Sequence, residues 1–510
     1  MNGTANLSWF ARHELTLAWR DWAAMMAGGR TTRERAITIG TLTFIGLLHW
    51  LAYAVLSPVV TAQSLASKQA LIVVTSSVVL TFSMMLSQAI EQVTRAFYAR
   101  SDLDLILSSP ASPWHLFAVR IASVAFAGTA MTNLLAAPFI NVAAYLGGAR
   151  WLAAYGVIAA ISMLATGFAV MIAVALFKAV GPKRTRLIAQ IVAAVVGAVL
   201  LIGLQVAAIV LYGNLSRFDV LKSDVIARAA PDAASLFWLP ARAVLGDPLS
   251  VFVVAVAGAG FLAAIICNYA GQFSAHAIAA AGVSEHGDAK RAAARPFRAM
   301  TTPQALRAKE WTLLRRDPWL LSQTLMQILY LVPPALLLWR DMGANNNVHV
   351  ILAPVLVMAF GQLAGGLAWL AISGEDAPDL VATAPLPQKA LLRAKNEAVL
   401  FAVGIAALPL VMGLAFVSLG GAIATAAGIA AASVSAIAIQ LWFRVAATRS
   451  QFRRRQTASR VSTFAEAFAS IFWAGATGFA AAGSLFAIPF VVLALITLGV
   501  AAFISPRGKT

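Results

Sequence analysis

The sequence predicts an all-α, polytopic membrane protein with about twelve transmembrane helices, arranged as two parallel six-helix repeats. Hydrophobic residues make up 60% of the chain and charged residues 11%, whereas an ordinary soluble domain carries about 25% charged residues. Twelve apolar runs are long enough to cross a hydrocarbon layer of about 30 Å, which takes roughly 20 helical residues. Polar motifs also recur in the same order in both halves, which indicates a duplicated unit.

Two motifs define the repeat. The first runs from Glu14 to Asp21 and returns from Glu310 to Asp317. The second is an Asp-Leu pair followed by a proline, a leucine and a basic residue: Asp104, Leu105, Pro110, Leu116 and Arg120 in the first half, and Asp379, Leu380, Pro385, Leu391 and Lys395 in the second. We therefore expect function to lie between two related halves.

The predicted spans fall six to a half. Their approximate limits are Ala36–Val60, Ala70–Ile90, Ile121–Leu146, Trp151–Val180, Leu187–Tyr212, Val251–Tyr269, Leu320–Leu338, Val348–Ile372, Ala398–Leu419, Ala422–Trp442, Phe464–Ala482 and Leu485–Ile504. The first half occupies residues 1–271 and the second 303–510, joined by a cytoplasmic linker at residues 272–302. This linker is Ala-rich and broken by Gly and Pro, so its composition predicts flexibility.

The positions of the basic residues predict the orientation. With the N-terminus inside, most of the 38 Lys and Arg residues fall in cytoplasmic segments, as the positive-inside rule requires. Both termini are then cytoplasmic in a bacterial inner membrane, and six spans per half make the repeats parallel. The net charge of +18 is explained by these loops and by contact with membrane lipid, so no nucleic-acid partner is expected.

An amphipathic stretch precedes the first span of each half. In the first, Leu15, Trp19 and Trp22 share one helical face. In the second, Leu306 and Leu313 do the same. Both stretches are predicted to be interfacial helices, with a simple topogenic flank as the alternative.

The loop between the second and third spans of each half carries carboxylates at a predicted helix start, where they satisfy free N–H groups and the positive end of the helix dipole. The residues concerned are Arg100, Asp102, Asp104 and Pro110 in the first half, and Glu375, Asp376, Asp379 and Pro385 in the second. Acidic helices run against the basic trend of the cytoplasmic loops. Two matched copies favour docking to a basic cleft on a cytosolic partner over ordinary solvated loop helices.

The layout and these motifs resemble the permease subunit of ABC transporters of the ABC-2 exporter class. Residues from Arg100 to Pro110 match that class closely, and those from Glu375 to Pro385 match it more loosely. The stretch from Pro231 to Asp247, which contains Trp238, resembles the external loop that the class places before its sixth span. A loop of this kind is missing before the last span, which puts strict symmetry of the halves in doubt.

The resemblance implies that two copies of a cytosolic ABC ATPase grip the two coupling helices, with ATP and Mg²⁺ bound on those partners. One copy of this chain would supply both halves, so no homodimer is required. The chain itself has no G-x-x-x-x-G-K-[ST] loop and no zinc-protease or hydrolase motif. We therefore expect no enzymatic activity, no catalytic or metal-binding residue and no cofactor in this chain.

A secondary, ion-coupled transporter and a non-transporting membrane scaffold are the alternatives. Ion coupling usually needs ionisable groups near the membrane midplane, and His49 is the main titratable group deep in a predicted span. His49, Asn133, Gln205 and Gln362 are the candidates for lining a pathway, although each is also explained as an interhelical hydrogen bonder. Apolar spans with amides favour an amphipathic or hydrophobic cargo over a multivalent ion.

Overall fold

The structure is a computed structural model. It describes residues 12, 16, 34–60, 67–98, 113–212, 220–221, 223–285, 300–316, 329, 331–333, 335–336, 348–372, 383, 385–443 and 460–505. All regular secondary structure in these ranges is helical, which confirms the predicted all-α class.

Seven α-helices lie before residue 286 among the residues that the structure describes. They are α1 (Glu34–Val60), α2 (Lys68–Tyr98), α3 (Pro113–Gly147), α4 (Ala153–Tyr212), α5 (Asp224–Ala229), α6 (Leu239–Val244) and α7 (Pro248–Glu285). Short 3₁₀ turns at Ala149–Leu152 and Leu236–Trp238 precede α4 and α6.

Six further α-helices follow in the described part of the chain. They are α8 (Thr302–Arg316), α9 (Val348–Ile372), α10 (Gln388–Val417), α11 (Leu419–Trp442), α12 (Arg460–Ala481) and α13 (Ala487–Ile504).

Ten segments of these helices are long and apolar enough to cross a membrane. They are Lys68–Thr94, Trp114–Gly147, Ala149–Gly181, Leu187–Leu211, Pro248–Gly271, His349–Ile372, Gln388–Val417, Leu419–Trp442, Ser462–Ala481 and Ala487–Ile504. Each overlaps one predicted span. The first predicted span corresponds to α1, where Ile45–Pro58 forms a shorter apolar segment, and most of the seventh lies outside the described residues. The chain is thus a multi-pass membrane protein by the length and composition of its helices.

Several helices continue past their predicted ends. Helix α10 begins at Gln388, ahead of the predicted Ala398, because the intervening Lys, Arg, Glu, Leu and Ala residues are strong helix formers. Helix α7 continues to Glu285, so the first part of the predicted flexible linker is helical. A polar sequence ends a membrane span without ending the helix.

Helix α4 is broken at Gly181, between the fourth and fifth predicted spans. The backbone there has φ +72° and ψ 167°, a conformation that residues with a Cβ rarely adopt. The Thr185 hydroxyl donates to the Gly181 carbonyl at 2.8 Å and holds the start of the second arm. A single glycine therefore separates the two spans.

The chain divides into two compact units, residues 1–208 with 216–289 and residues 209–215 with 290–510. In the first unit, α3 packs against α1, α2 and α7. Glycines allow close contact: a Cβ on Gly128 would lie 2.8 Å from Ser162 Oγ, and one on Gly197 would lie 2.8 Å from Ser87 Oγ. Small residues at helix contacts are typical of membrane bundles.

Helix α9 is the centre of the second unit and packs against α10, α11 and α12. Its side chains from Leu356 to Ile372 supply most of the buried core, together with residues of α10, α11 and α12. Helix α13 packs mainly on α12, and α8 packs on α10. This places the end of α9 and the start of α10 deep in one packed group of helices.

Candidate functional site

The predicted coupling residues fall mostly outside the described part of the chain. This applies to Arg100, Asp102, Asp104, Pro110, Glu375, Asp376 and Asp379. Pro385 is described and lies in an exposed bend. The helices on either side of each segment are well defined, so the site can be built from its flanks.

The flanks have the same plan in both units. In the first, α2 ends at Tyr98 and α3 begins at Pro113. In the second, α9 ends at Ile372 and α10 begins at Gln388. Each acidic segment therefore connects one membrane helix to the next.

Three charged residues are buried in the described part of the chain: Arg120 at 2% exposure, Glu310 at 2% and Lys395 at 3%. All three belong to the repeated motifs, in which Arg120 corresponds to Lys395 and Glu310 to Glu14. Charged side chains are almost never fully buried unless they are paired. The recurrence of these positions in the sequence thus coincides with burial of charge in the fold.

Lys395 has a defined role in the second unit. Its Nζ donates to the carbonyl oxygen of Ala371, the second-last residue of α9. The last four carbonyls of a helix have no N–H partner within it, and a cation there also favours the helix dipole. Lys395 therefore ties the start of α10 to the end of α9.

Helix α8, the predicted amphipathic helix of the second half, packs along the start of α10. Arg307 Nε lies 2.6 Å from Glu397 Oε2, and Arg393 Nε lies 2.9 Å from Glu397 Oε1. The rings of Trp311 and Phe401 meet edge to face with centroids 5.2 Å apart. The Arg307–Glu397 and Trp311–Phe401 contacts have the same separation in residue number. Helix α8 and this part of α10 therefore run in the same direction.

Helix α8 also confirms the predicted amphipathic pattern. Leu306 is buried and Leu313 is half-buried, while Thr312 is exposed. Glu310 lies on the buried side, with Lys309 Nζ 3.3 Å from its Oε1. Of the corresponding stretch in the first half only Arg12 and Thr16 are described, and the Thr16 hydroxyl donates to the Arg12 carbonyl at 2.7 Å.

The pathway candidate His49 belongs to a hydrogen-bonded chain across three helices. Its Nδ1 lies 2.8 Å from the Ile45 carbonyl, which can only accept, so Nδ1 carries the proton. Its Nε2 is then the acceptor for Asn141 Nδ2 at 3.4 Å, and Asn141 Oδ1 accepts from the Tyr155 hydroxyl at 2.8 Å. The arrangement supports the reading of His49 as an interhelical hydrogen bonder joining α1, α3 and α4.

The other pathway candidates have different surroundings. Asn133 is half-buried, and its Oδ1 has no hydrogen-bond partner among the described residues. Gln205 is half-buried, and Gln362 is exposed. His49, Asn133 and Gln205 belong to the first unit and Gln362 to the second.

Gln362 lies on a narrow exposed stripe of an otherwise buried helix. Ile351, Val355 and Met358 share this face of α9 at helical spacing. The Gln362 side chain therefore places a hydrogen-bonding amide on this exposed face of α9. The sequence predicts α9 only as an apolar span, because which face stays open depends on packing with three other helices.

The predicted external loop forms a folded cap on the first unit. Trp238 is 2% exposed, packs with Leu71 and Ile72 of α2, and donates from Nε1 to the Asp232 carbonyl at 3.0 Å. Gly246 has φ +89°, and a Cβ there would lie 2.6 Å from the Arg150 carbonyl. The cap is thereby fastened to two different parts of the unit.

The predicted external loop ends at Asp247, which is the N-cap residue of helix α7. Asp247 Oδ2 accepts from the Ser250 backbone N–H at 3.0 Å and from the Ser250 hydroxyl, at the start of α7. These two hydrogen bonds hold the pKa of the Asp247 carboxyl below its usual value. The residues that resemble the external loop of the ABC-2 class thus have structural duties in this fold.

Sequence reasoning missed the pair formed by Gln440 and Glu466. Gln440 is 2% exposed, and its Nε2 donates to Glu466 Oε1. The only sequence signal was a carboxylate inside a predicted span. The partner lies on another helix, so no local pattern identified it. The described residues contain no group of three His, Cys, Asp or Glu side chains placed to hold a metal ion.

Comparison of the chain with models of known protein families, with curated proteins and with solved structures found no match.

Proposed function

We propose that this chain is the transmembrane permease of an ATP-driven exporter resembling the ABC-2 class, in a bacterial cytoplasmic membrane. Its twelve spans would form two parallel halves with both termini in the cytoplasm. Two copies of a cytosolic ATPase would dock on the acidic segments that contain Asp102 and Asp104 in one half and Glu375, Asp376 and Asp379 in the other.

One observation carries the proposal. An acidic motif recurs between two membrane helices of each half, and each copy is followed by a basic residue that is buried, Arg120 or Lys395. A solvated loop has no need of a buried cation behind it, because burial of charge is costly unless it is offset. A segment that transmits force from a docked ATPase, in contrast, must be held firmly to the helices that flank it.

The proposed cargo is amphipathic or hydrophobic. The membrane-spanning segments are strongly apolar and hold few ionisable groups, with amides such as Gln362 among their polar residues. Such segments suit a molecule that keeps its apolar part in apolar surroundings.

The test reverses the charge of each segment. Asp102→Lys with Asp104→Lys, or Glu375→Lys with Asp376→Lys and Asp379→Lys, would place like charges across a docking interface, where they cost several kcal/mol. Recovery of the cytosolic ATP-binding subunit that co-purifies with the unmodified chain from membranes, at matched expression, should then fall at least about tenfold, since each 1.4 kcal/mol is a factor of ten in affinity. The first reversal should be the more damaging, because its motif matches the ABC-2 class more closely.

The matched control is Asp224→Lys with Asp232→Lys, two exposed carboxylates of the predicted external cap. This variant should recover the ATPase normally. Undiminished recovery with both cytoplasmic reversals would contradict docking at these segments and favour a secondary transporter or a scaffold.

A further inference from the structure

Lys395 is unusual because its ammonium group lies inside the second unit. Its residue exposure is 3%, and the neighbouring inward-facing residues Ala394, Ala398 and Val399 are equally buried. An ammonium group taken out of water is unfavourable unless hydrogen bonds and opposite charge offset the loss of hydration. The position therefore depends on what the Nζ atom binds.

The end of α9 provides a binding partner. All residues from Leu367 to Ile372 are buried, so the last carbonyls of α9 have poor access to water. These carbonyls lack intrahelical N–H donors and carry the negative end of the helix dipole. The Lys395 Nζ donates to one of them, on Ala371. Buried cation and buried acceptor thus satisfy each other.

The contact also spans the acidic segment. Ala371 lies just before residues 373–387 and Lys395 lies just after them, on the helix that follows. A bond between the two holds together the points where the chain leaves and re-enters the helical bundle. Movement of the segment relative to one helix is thereby passed to the other.

The first half repeats the position. Arg120 lies at the same distance from the first residue of α3 as Lys395 lies from the first residue of α10. Arg120 is 2% exposed, and α3 likewise follows the acidic segment. Both halves therefore carry a buried cation behind the acidic motif.

We propose that Lys395 is a positioning residue that clamps the end of α9 to the start of α10, so that force applied by a docked ATPase to the acidic segment between them moves both helices together; Arg120 is the corresponding buried cation of the first half. The force-transmitting role rests on the proposed function. The clamp itself is a property of this chain alone and can be measured without the ATPase.

The main experiment compares Lys395→Met with Lys389→Met, a control on the same helix whose lysine is exposed. Hydrogen exchange is followed in the purified chain without ATPase. In Lys395→Met, exchange across residues 368–372, the end of α9, should rise about tenfold to a hundredfold, the range expected from loss of a hydrogen bond to a charged group. Lys389→Met should exchange like the unmodified protein, and Lys395→Arg should restore protection.

A second readout separates positioning from general stability. In membranes, Lys395→Met should still recruit the ATPase but lose stimulation of ATP hydrolysis by cargo, and Lys395→Arg should regain it. Suppose that Lys395→Met shows normal local exchange while the Asp102 and Asp104 reversal fails to recruit the ATPase. This result would leave the docking proposal intact and overturn the clamp. Weaker exchange protection in Lys395→Met, together with undiminished recruitment in both reversals, would support the clamp and overturn docking.

A further variant covers the case in which Lys395→Met fails to fold. If Lys395→Met does not insert, Lys395→Gln is measured and judged by the same criterion. Exchange that rises throughout the unit, or is unchanged across residues 368–372, contradicts the clamp, because both mean that the cation does not act on the end of α9.

Discussion

The carboxylate of Glu466 lies among packed helices and needs a hydrogen-bond donor there. Glu466 lies on α12 within a membrane-spanning segment, and the buried amide of Gln440 on α11 donates to it. Glu466 is half-buried, so a carboxylate that loses this donor keeps part of the desolvation penalty that a fully buried acceptor would carry. The pair thus joins α11 to α12 in the second unit.

We expect Gln440→Leu to lower the free energy of unfolding by about 1–3 kcal/mol, because it leaves the Glu466 carboxylate without this donor. Glu466→Gln should cost less, since an amide oxygen still accepts from Gln440. Thermal unfolding of the purified protein in detergent measures both. Equal stability of Gln440→Leu and the unmodified chain would show that the pair contributes nothing.

At the same scale, the sequence identified which charged positions recur but not that they are buried. Arg120, Glu310 and Lys395 were found through the repeat, at positions flanking predicted spans, where charged side chains are usually solvated. Glu310 and Lys395 are buried because α8 and α9 pack against the start of α10, and Arg120 is buried where α3 packs within the first unit. Packing between helices is a long-range property, and a repeat can only point to it.

Glycines decide how closely the helices of the second unit approach one another. A Cβ on Gly428 of α11 would lie 2.0 Å from Thr477 Oγ1 of α12 and 2.8 Å from Val357 Cγ2 of α9. Real Cβ atoms do not approach other atoms this closely, so three helices meet at this residue. Gly404, in the interior of α10, has nothing within 4 Å of the same position.

We predict that Gly428→Ala destabilises the protein by about 1–3 kcal/mol, the usual cost of overpacking. Gly404→Ala is the matched control and should be neutral or slightly stabilising, because alanine is the better helix former. Adding Thr477→Ala to Gly428→Ala should recover part of the loss by removing the nearest atom. Unfolding temperatures in one detergent give the comparison, and equal values for the two glycine variants would contradict it.

The elements themselves were predicted well wherever an apolar run is long. Ten predicted spans overlap helices that can cross a membrane, since hydropathy over about 20 residues is a strong local signal. Helix ends were less well predicted, as α7 and α10 show, because helix formation continues into charged sequence. The acidic segments of the candidate site lie outside the described residues, so their helical form stays a prediction.

At the scale of the whole molecule, the two halves differ on the predicted external side. The first has the cap around Trp238, while α12 and α13 of the second are joined through Gly483, with φ +69°, and a few neighbouring residues. The short connection agrees with the sequence. The predicted external cap is therefore a feature of the first half that the sequence repeat does not extend to the second.

The division of the chain gives the last prediction. The main boundary between the compact units falls between Ala289 and Lys290, just after α7 ends at Glu285, and only the short stretch 209–215 of the first half groups with the second unit. If each half holds its own spans and the linker only tethers them, then residues 1–285 and 286–510, expressed as separate chains, should insert, co-purify and recruit the ATPase. Tethering raises the effective concentration of the halves to the millimolar range without adding a contact, so recovery should be reduced but not abolished.

A cut after Phe360 is the control, because it divides α9, the central helix of the second unit, and should abolish recovery. Native mass spectrometry of the split complex should show one copy of each piece with two ATPase subunits. Normal insertion of both pieces without co-purification would contradict two autonomous halves. One copy of each piece together supplies both acidic segments. Two copies of each piece in the complex would therefore contradict a pathway built from one chain.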